Sequence, residues 1–503
     1  MDQHSVELTP PELAVDGLGF FRWGRVADKV LLTNDAGEWD FLSESEFSDL
    51  LAGRITAEHP RFPELQRKGF LLEGLDLDAL AANVAQRTRH MRRGAHLHVV
   101  TLTTRHAPAA ANGQAPATAD SDMSTATAEK IVDLALLSTS PAVTFELQGH
   151  AGEPLFNFEV LRHLVEYAVS RNQRTTGKTL TFRLLTNFTG MTEEAAQWLI
   201  ANDVLIRTTF DGPASVHDWN RKSLRGSAHA DVVRWIEYFN RAYNELGRDP
   251  GLWHVDTLTI TTRKTIAAWR EVVDEHVARG LPSVCLRPLD SARFDPKTWA
   301  TIGYTAEEYL DFYRNVLDYI VELNRSGTNI TERMATIFAT KILTADDPGI
   351  VDIQSPCGDG TAQIAYDVSG RLFPSDEARM VHAMGDPIFE IGQVGSLTLE
   401  DVVRHPTVRS IAAASLLDAQ PLCADCWNKP FCGFSPVRNF VTQGDLFGQR
   451  PHCFQCKEHM AVSRKLFELL AADSDGTTAD LFRRWASTRS RFANDARTLS
   501  DVP

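Results

Sequence analysis

From residue 96 onward, strand-length apolar runs alternate with amphipathic helical patterns, and this alternation restricts the fold more than any other feature. The runs are His96–Thr104, Val143–Gln148, Leu180–Thr186, Val204–Phe210, Val255–Thr262 and Ser283–Pro288. Helical patterns lie between them at Ala126–Leu137, Glu159–Ser170, Glu193–Ala201, Ala230–Asn244 and Thr265–Ala278. Strands joined through a helix pair in parallel by right-handed crossovers. The expected class is α/β, either an open doubly wound sheet or a partial barrel. In both, ligands bind at the carboxyl ends of the strands. Thr305-Ala-Glu-Glu308 opens a further helix with a capping box.

Residues 1–95 read as a small separate module. Lys29–Thr33 and Trp39–Leu42 are short strands around the turn formers Asn34-Asp-Ala-Gly37. Ser43-Glu-Ser-Glu46 fits a capping box ahead of a helix over Glu46–Ala52, and Pro63–Lys68 predicts another. Strands and helices of this size suggest a winged-helix-like unit. The stretch Ala107–Ala119, rich in small residues and proline, follows the first βα strand and is expected to be mobile. Beyond residue 350 the chain reads as loop-rich. Ile364–Val368 and Arg371–Phe373 predict a hairpin, Cys456–Leu470 a helix, and residues 461–503 a charged helical tail.

The 503 residues carry a formal net charge of −15, which argues against a nucleic-acid role resting on a basic face. No apolar run of about 18 residues occurs, so no membrane partner is expected. The first residues lack a basic region followed by an apolar core, and a cytoplasmic location is the default expectation.

The cysteines are unevenly placed. Cys285 and Cys357 stand alone, whereas Cys423, Cys426, Cys432, Cys453 and Cys456 fall within 34 residues. Cys423-Ala-Asp-Cys426 and Cys453-Phe-Gln-Cys456 are C-x2-C knuckles, each able to aim two thiolates at one metal. Sulfur ligands alone leave zinc and a [4Fe–4S] cluster both open.

The segment Cys423-Ala-Asp-Cys-Trp-Asn-Lys-Pro-Phe-Cys-Gly-Phe434, behind a βα-repeat domain, resembles the SPASM domain of radical SAM peptide maturases. Cys357-Gly358 and Phe373-Pro-Ser-Asp376 are similar to the start of that domain, and the His-Xaa-Ser system maturases are the closest resemblance. The resemblance implies a partial (β/α)6 radical-SAM-type barrel over residues 96–330. It also implies a SPASM-like metal-binding domain over 350–460 with Cys357 as a further ligand, and an N-terminal module that grips a precursor peptide. Thr209-Phe-Asp-Gly-Pro213 with His217, Asp218 and Arg221 resembles a segment near SAM in that family, and Leu185-Thr-Asn187 resembles a strand end lining its pocket. A SAM pocket so implied would use Gly152, Glu153, Pro154, Asn187, Asp211 and Arg263, with Arg287 at a later strand end. Asp376 stands where some SPASM enzymes place a catalytic carboxylate.

This sequence also departs from the family. The C-x3-C-x2-C motif that holds the SAM-cleaving cluster is replaced by His106, Ala110 and Gly113, and no cysteine precedes Cys285. The family's G-G-E-P stretch appears as Gly149-His-Ala-Gly-Glu-Pro154, two residues longer. Ser375 and Pro436 occupy positions where cysteines are common. His106 and His150 remain as donors at the barrel mouth. Three functions follow as expectations. The first is a peptide-binding pseudoenzyme, the SAM pocket vestigial, partnering an active radical SAM maturase. The second is a working radical SAM oxidoreductase. The third is a barrel enzyme with new chemistry on Asp211, Glu153 or Asp376.

Overall fold

The structure is a computed structural model that describes residues 16–105, 121–150, 152–221, 226–289 and 294–488. Three antiparallel strands, β1 (Arg22–Val26), β2 (Lys29–Thr33) and β3 (Trp39–Leu42), open the chain. The β2–β3 turn is closed by the Gly37 N–H donating to the Asn34 carbonyl, with Gly37 at φ +75°. At the next helix, Glu44–Leu51, Ser43 and Glu46 form the expected capping box. Helices Phe62–Arg67 and Leu77–Arg87 complete the module. Its core holds Val30, Leu32, Leu42, Phe47, Leu50, Leu65 and Phe70.

The six βα strands form as the alternation predicts. They are β4 (Leu97–Thr103), β5 (Ala142–Gly149), β6 (Thr179–Leu185), β7 (Val204–Thr209), β8 (Asp256–Thr261) and a split sixth run, β9 (Ser283–Val284) and β10 (Leu286–Pro288). A two-residue strand, β11 (Thr331–Glu332), pairs in parallel with β9. The sheet order from β10 through β8, β7, β6 and β5 to β4 is parallel throughout. The predicted hairpin, β12 (Gln363–Tyr366) and β13 (Arg371–Phe373), does not stand apart. β12 pairs in parallel with β4, and β14 (Gly392–Gln393) ends the sheet beyond β13.

One sheet face lies under helices. Val100, Leu102, Phe145, Leu147, Phe182, Leu184, Val204 and Ile206 pack there against Thr125–Leu136, Phe158–Thr175, Glu193–Ala201 and Ala228–Glu245. Strand periodicity turns the alternate residues Glu146, Arg183 and Arg207 to the opposite, barrel-lining face. These meet Asp256 and Arg333 in a buried ion network. Arg207 Nε donates to Asp256 Oδ2 at 2.6 Å and Nη1 to Glu146 Oε2 at 3.2 Å. Arg333 binds both Asp256 oxygens, Nη1 to Oδ2 at 3.0 Å and Nη2 to Oδ1.

The structure differs from the sequence expectation at two places. The segment beyond residue 350 is more helical than its sequence suggests. Asp376–Ala383, Leu399–Arg404, Pro406–Ser415 and Pro436–Gln443 are helices of six to ten residues, set by caps at Ser375, Thr398 and His405 and by proline in the first turn. Such helices are too short to display an apolar stripe. The helix expected over Thr265–Ala278 breaks at Ala268 into Arg263–Ala267 and Trp269–Ala278. No helix among the described residues is long and apolar enough to cross a membrane.

Candidate metal centre and barrel mouth

The C-terminal cysteines sit on short turns that end at a helix. Cys426 N–H donates to the Cys423 carbonyl at 3.1 Å, closing the first knuckle, and Cys432 N–H donates to the Lys429 carbonyl at 3.2 Å. Leu422, just before the knuckle, holds φ +66° although it is not glycine. The second knuckle opens the helix Phe454–Ala471. There Cys453 is the N-cap, its Sγ accepting the Cys456 N–H at 3.3 Å. A helix N-terminus aims N–H groups at negative charge, which suits thiolates.

All five thiols are free, partly buried and within electrostatic reach of one another. Burial, then Cys453, Cys423 and Cys426, pushes the Cys456 thiol up to about 12. Burial pushes Cys432 higher still. A metal that binds must therefore displace protons. Arg450, 4% exposed, is a cation acted on electrostatically by Cys423, Cys453, Cys432 and Cys456. Its Nη2 donates to the Ala414 carbonyl at 2.8 Å and its Nε to the Phe447 carbonyl at 3.1 Å, while Nη1 has no hydrogen-bond partner. His459 lies one turn into the helix, its Nδ1 3.7 Å from Cys432 Sγ, and burial holds it neutral, down to about 3. The donors are neighbours without standing at ligand spacing. Among the described residues, no three His, Cys, Asp or Glu side chains already form a metal-holding group. By chemistry the donor set fits a thiolate-bound metal, since sulfur predominates and a buried guanidinium faces it.

Cys357 lies elsewhere. It is buried among Leu97, Val99, Ala365 and Phe373, its N–H donates to Ser415 Oγ at 3.0 Å, and Asp359, Ser415 and Asp352 are the groups acting on it. Ser375 and Pro436 both start helices, Ser375 by accepting the Ala378 N–H. Cys285 is buried at the junction of β9 and β10.

At the barrel mouth the residues expected to face SAM are tied to the strands. Glu153, 1% exposed, accepts from Thr186 Oγ1 at 2.7 Å, the Asn187 N–H at 2.8 Å and the Leu155 N–H at 3.2 Å. Burial pushes its carboxyl up to about 7 against the pull of those donors. Gly152 lies against the β4 end. A Cβ there would stand 2.3 Å from the Arg105 carbonyl oxygen. Pro154 opens a single 3-10 turn, and exposed Asn187 turns its Oδ1 to the Thr189 N–H. Asp211 is fully buried. It accepts from the Ile260 N–H at 2.8 Å, Arg221 Nε at 3.0 Å and Asn220 Nδ2 at 3.1 Å. His217 Nδ1 in turn accepts the Asp211 N–H. Exposed Arg263 donates from Nε to the Gly303 carbonyl at 2.9 Å. The carboxylates are thus engaged as struts between strand ends.

Asp376 does reach the mouth. Its Oδ1 accepts from Gln148 Nε2, on β5, at 2.7 Å and from Arg379 Nε at 2.8 Å. The His150 N–H donates to the Thr103 carbonyl. His106, Ala110, Gly113 and the stretch Ala107–Ala119 lie outside the described residues. A cavity of 290 Å³ is lined by Pro288 at the end of β10, Leu289, Trp299, Tyr304, Arg438 and Gln455, and reaches Cys453. Sequence reasoning missed Arg450, His459 and Arg22, because nothing local marks them.

No protein-family model matches the chain. It is 24% identical over 254 residues, 49% of its length, to the cysteine-type anaerobic sulfatase-maturating enzyme of Clostridium perfringens; the match spans 63% of that enzyme. Native anSMEcpe with bound AdoMet superposes at a TM-score of 0.61 and 16% identity, covering 77% of this chain and 99% of that one. The form with bound AdoMet and the Cp18Cys peptide gives 0.62 at 17% identity, covering 78% and 99%. By this sequence match and this shared α/β fold, the chain is similar to the anaerobic sulfatase-maturating enzymes.

Proposed function

We propose that this chain is a radical SAM/SPASM-type protein of peptide maturation that has lost the SAM-cleaving [4Fe–4S] site and acts by binding a precursor peptide. One observation carries the reading: no cysteine precedes Cys285, while five gather between Cys423 and Cys456. Three thiolates after the first strand are needed to hold a cluster with one open iron. His106, Ala110 and Gly113 offer a single imidazole in their place. The cofactor carries the radical chemistry, so a chain without that site forms no radical of its own.

The residues present have other work. The N-terminal winged-helix-like module would hold the peptide, as its position in the family implies. The cavity between Tyr304, Trp299, Arg438 and Gln455 offers aromatic faces and a cation to a side chain passing the barrel mouth. Asp376, fixed by Gln148 and Arg379, would accept a hydrogen bond from it. Cys423, Cys426, Cys432, Cys453 and Cys456 would hold one [4Fe–4S] cluster or a zinc ion. Bound there, a cluster supplies one-electron transfer and zinc supplies a structural staple. An active maturase in the cytoplasm is the proposed partner.

Anaerobic reconstitution with iron and sulfide should give about four irons per chain. Adding SAM and a strong reductant should yield no 5′-deoxyadenosine above background. About eight irons together with a clear yield would instead establish a working radical enzyme. Deletion of residues 1–95 should abolish capture of the precursor peptide encoded beside the protein; undiminished capture would remove the peptide-gripping role.

A further inference from the structure

The β1–β2 hairpin reaches across the molecule to the cysteine loop. Arg22, 6% exposed, donates from Nε to the carbonyl of Ala424, the first residue inside the knuckle. Buried Thr33 donates from Oγ1 to the carbonyl of Trp427 at 2.8 Å, the residue after Cys426. The two bonds therefore flank Cys426. Arg22 Nη1 also pairs with Asp35 at 2.9 Å, and Asp35 pairs with Lys429 Nζ at 2.9 Å, between Cys426 and Cys432. At Gly24 a Cβ would stand 2.4 Å from Trp427 Cδ1, so strand backbone lies directly on that indole. Arg464, on the helix begun at Cys453, donates to the Arg25 carbonyl at 2.8 Å and occupies the outer edge of β1. The Arg22, Thr33 and Gly24 contacts fall beside the first ligand-bearing segment, and that of Arg464 lies about two turns along the helix that carries the second.

The loop itself is a run of tight turns beginning at strained Leu422, and its thiols are near one another but not at ligand spacing. Such a loop has little rigidity of its own. Bonds from a sheet remove freedom that metal binding would otherwise have to remove. We propose that the N-terminal module clamps the metal loop, with Arg22 and Thr33 as positioning residues, so that metal loading and docking of the module are thermodynamically linked. The proposal rests on reading the five cysteines as a metal site. Linkage is reciprocal: whatever the clamp adds to metal affinity, bound metal adds to docking of the module.

The full chain is loaded with cobalt(II) alone and, separately, with ferrous iron and sulfide, and metal loss to a chelator is timed. Thr33→Val, which loses one buried hydrogen bond, should release metal about tenfold faster, and Arg22→Ala, which also loses the Asp35 pair, at least as fast. Thr33→Ser, which keeps the hydroxyl, should release at the wild-type rate. A second readout needs no substitution: amide exchange across residues 22–33 should slow on loading. Wild type that loads fully, releases at the same rate as the variants and shows no change in exchange overturns the linkage alone. Wild type that takes up neither cobalt nor iron overturns the metal-site reading and the linkage with it.

Discussion

Replacing Asp256 with Asn should destabilise the protein by about 3–5 kcal/mol, because it removes the carboxylate that two buried guanidiniums share. Asp256 has no exposed side-chain surface, and Arg207 and Arg333 are mostly buried around it. Burial alone would raise its carboxyl; Arg333 and Arg207 outweigh that and hold it well below the usual carboxylate range. Asparagine keeps the shape and one acceptor, but leaves two cations facing each other with Arg183 nearby. Glu146→Gln is the comparison. That carboxylate is 19% exposed and pairs with Arg207 at the longer distance of 3.2 Å, so its loss should cost about 1 kcal/mol. The pH dependence follows from the sign. A depressed carboxyl contributes fully above its unfolded value and loses that contribution only as pH falls through the folded one. The Asp256→Asn deficit should therefore be constant from about pH 5 to pH 8 and shrink only in strong acid. Urea unfolding followed by far-UV circular dichroism, with the slope checked for constancy, reads these values. A variant within about 1 kcal/mol of wild type, or a deficit that changes across neutral pH, would refute the reasoning.

Glu458 is buried, accepts from the Tyr309 hydroxyl at 3.2 Å and is pushed by burial up to about 7. A raised carboxyl stabilises below its unfolded value and loses that contribution as pH rises through the folded one, so Glu458→Gln should recover up to about 3 kcal/mol at pH 8.5 and almost nothing at pH 4 in unfolding measurements. Cys423→Ser and Cys456→Ser should each sharply lower bound metal, whereas Cys285→Ala and Cys357→Ala should leave the metal count unchanged by elemental analysis. Arg450→Met should speed metal loss to a chelator, because it removes the buried cation facing four thiols, while Arg450→Lys should restore part of the retention; equal release by all three would discount the charge.

The barrel was legible because strands buried on both faces read as continuous apolar runs between amphipathic helices. The β1 strand was not. Arg22-Trp-Gly-Arg-Val26 carries two arginines and a glycine, and it becomes a strand because it pairs with Lys29–Thr33. The helix Leu77–Arg87 buries none of its side chains, so no stripe announced it; its one signal was Asp76, which caps it through the Ala79 N–H. At the site, five cysteines in 34 residues were plain. Their supports were hidden by distance along the chain. Arg22 and Ala424 are 402 positions apart, and an arginine in a short strand looks like any solvated charge.

The mouth of the barrel is held by the chain's own donors and acceptors. Glu153 ties the end of β5 to Thr186 and Asn187 beyond β6. Asp211, just past β7, ties Ile260 on β8 to Asn220 and Arg221. Arg105 reaches from the end of β4 to Asp122 and the Phe156 carbonyl. Each link joins neighbouring strand ends through a buried or half-buried polar group, and none requires a cofactor atom. The strand ends are therefore held in place, together with any peptide surface they carry, without a cofactor. The cysteine loop is held differently. There the turns are short, the thiols stand off ligand spacing, and the fixed partners come from β1 and β2. Selection that kept a metal at Cys423–Cys456 would have to keep Arg22 and Thr33 as well, even where nothing reacts at the barrel mouth.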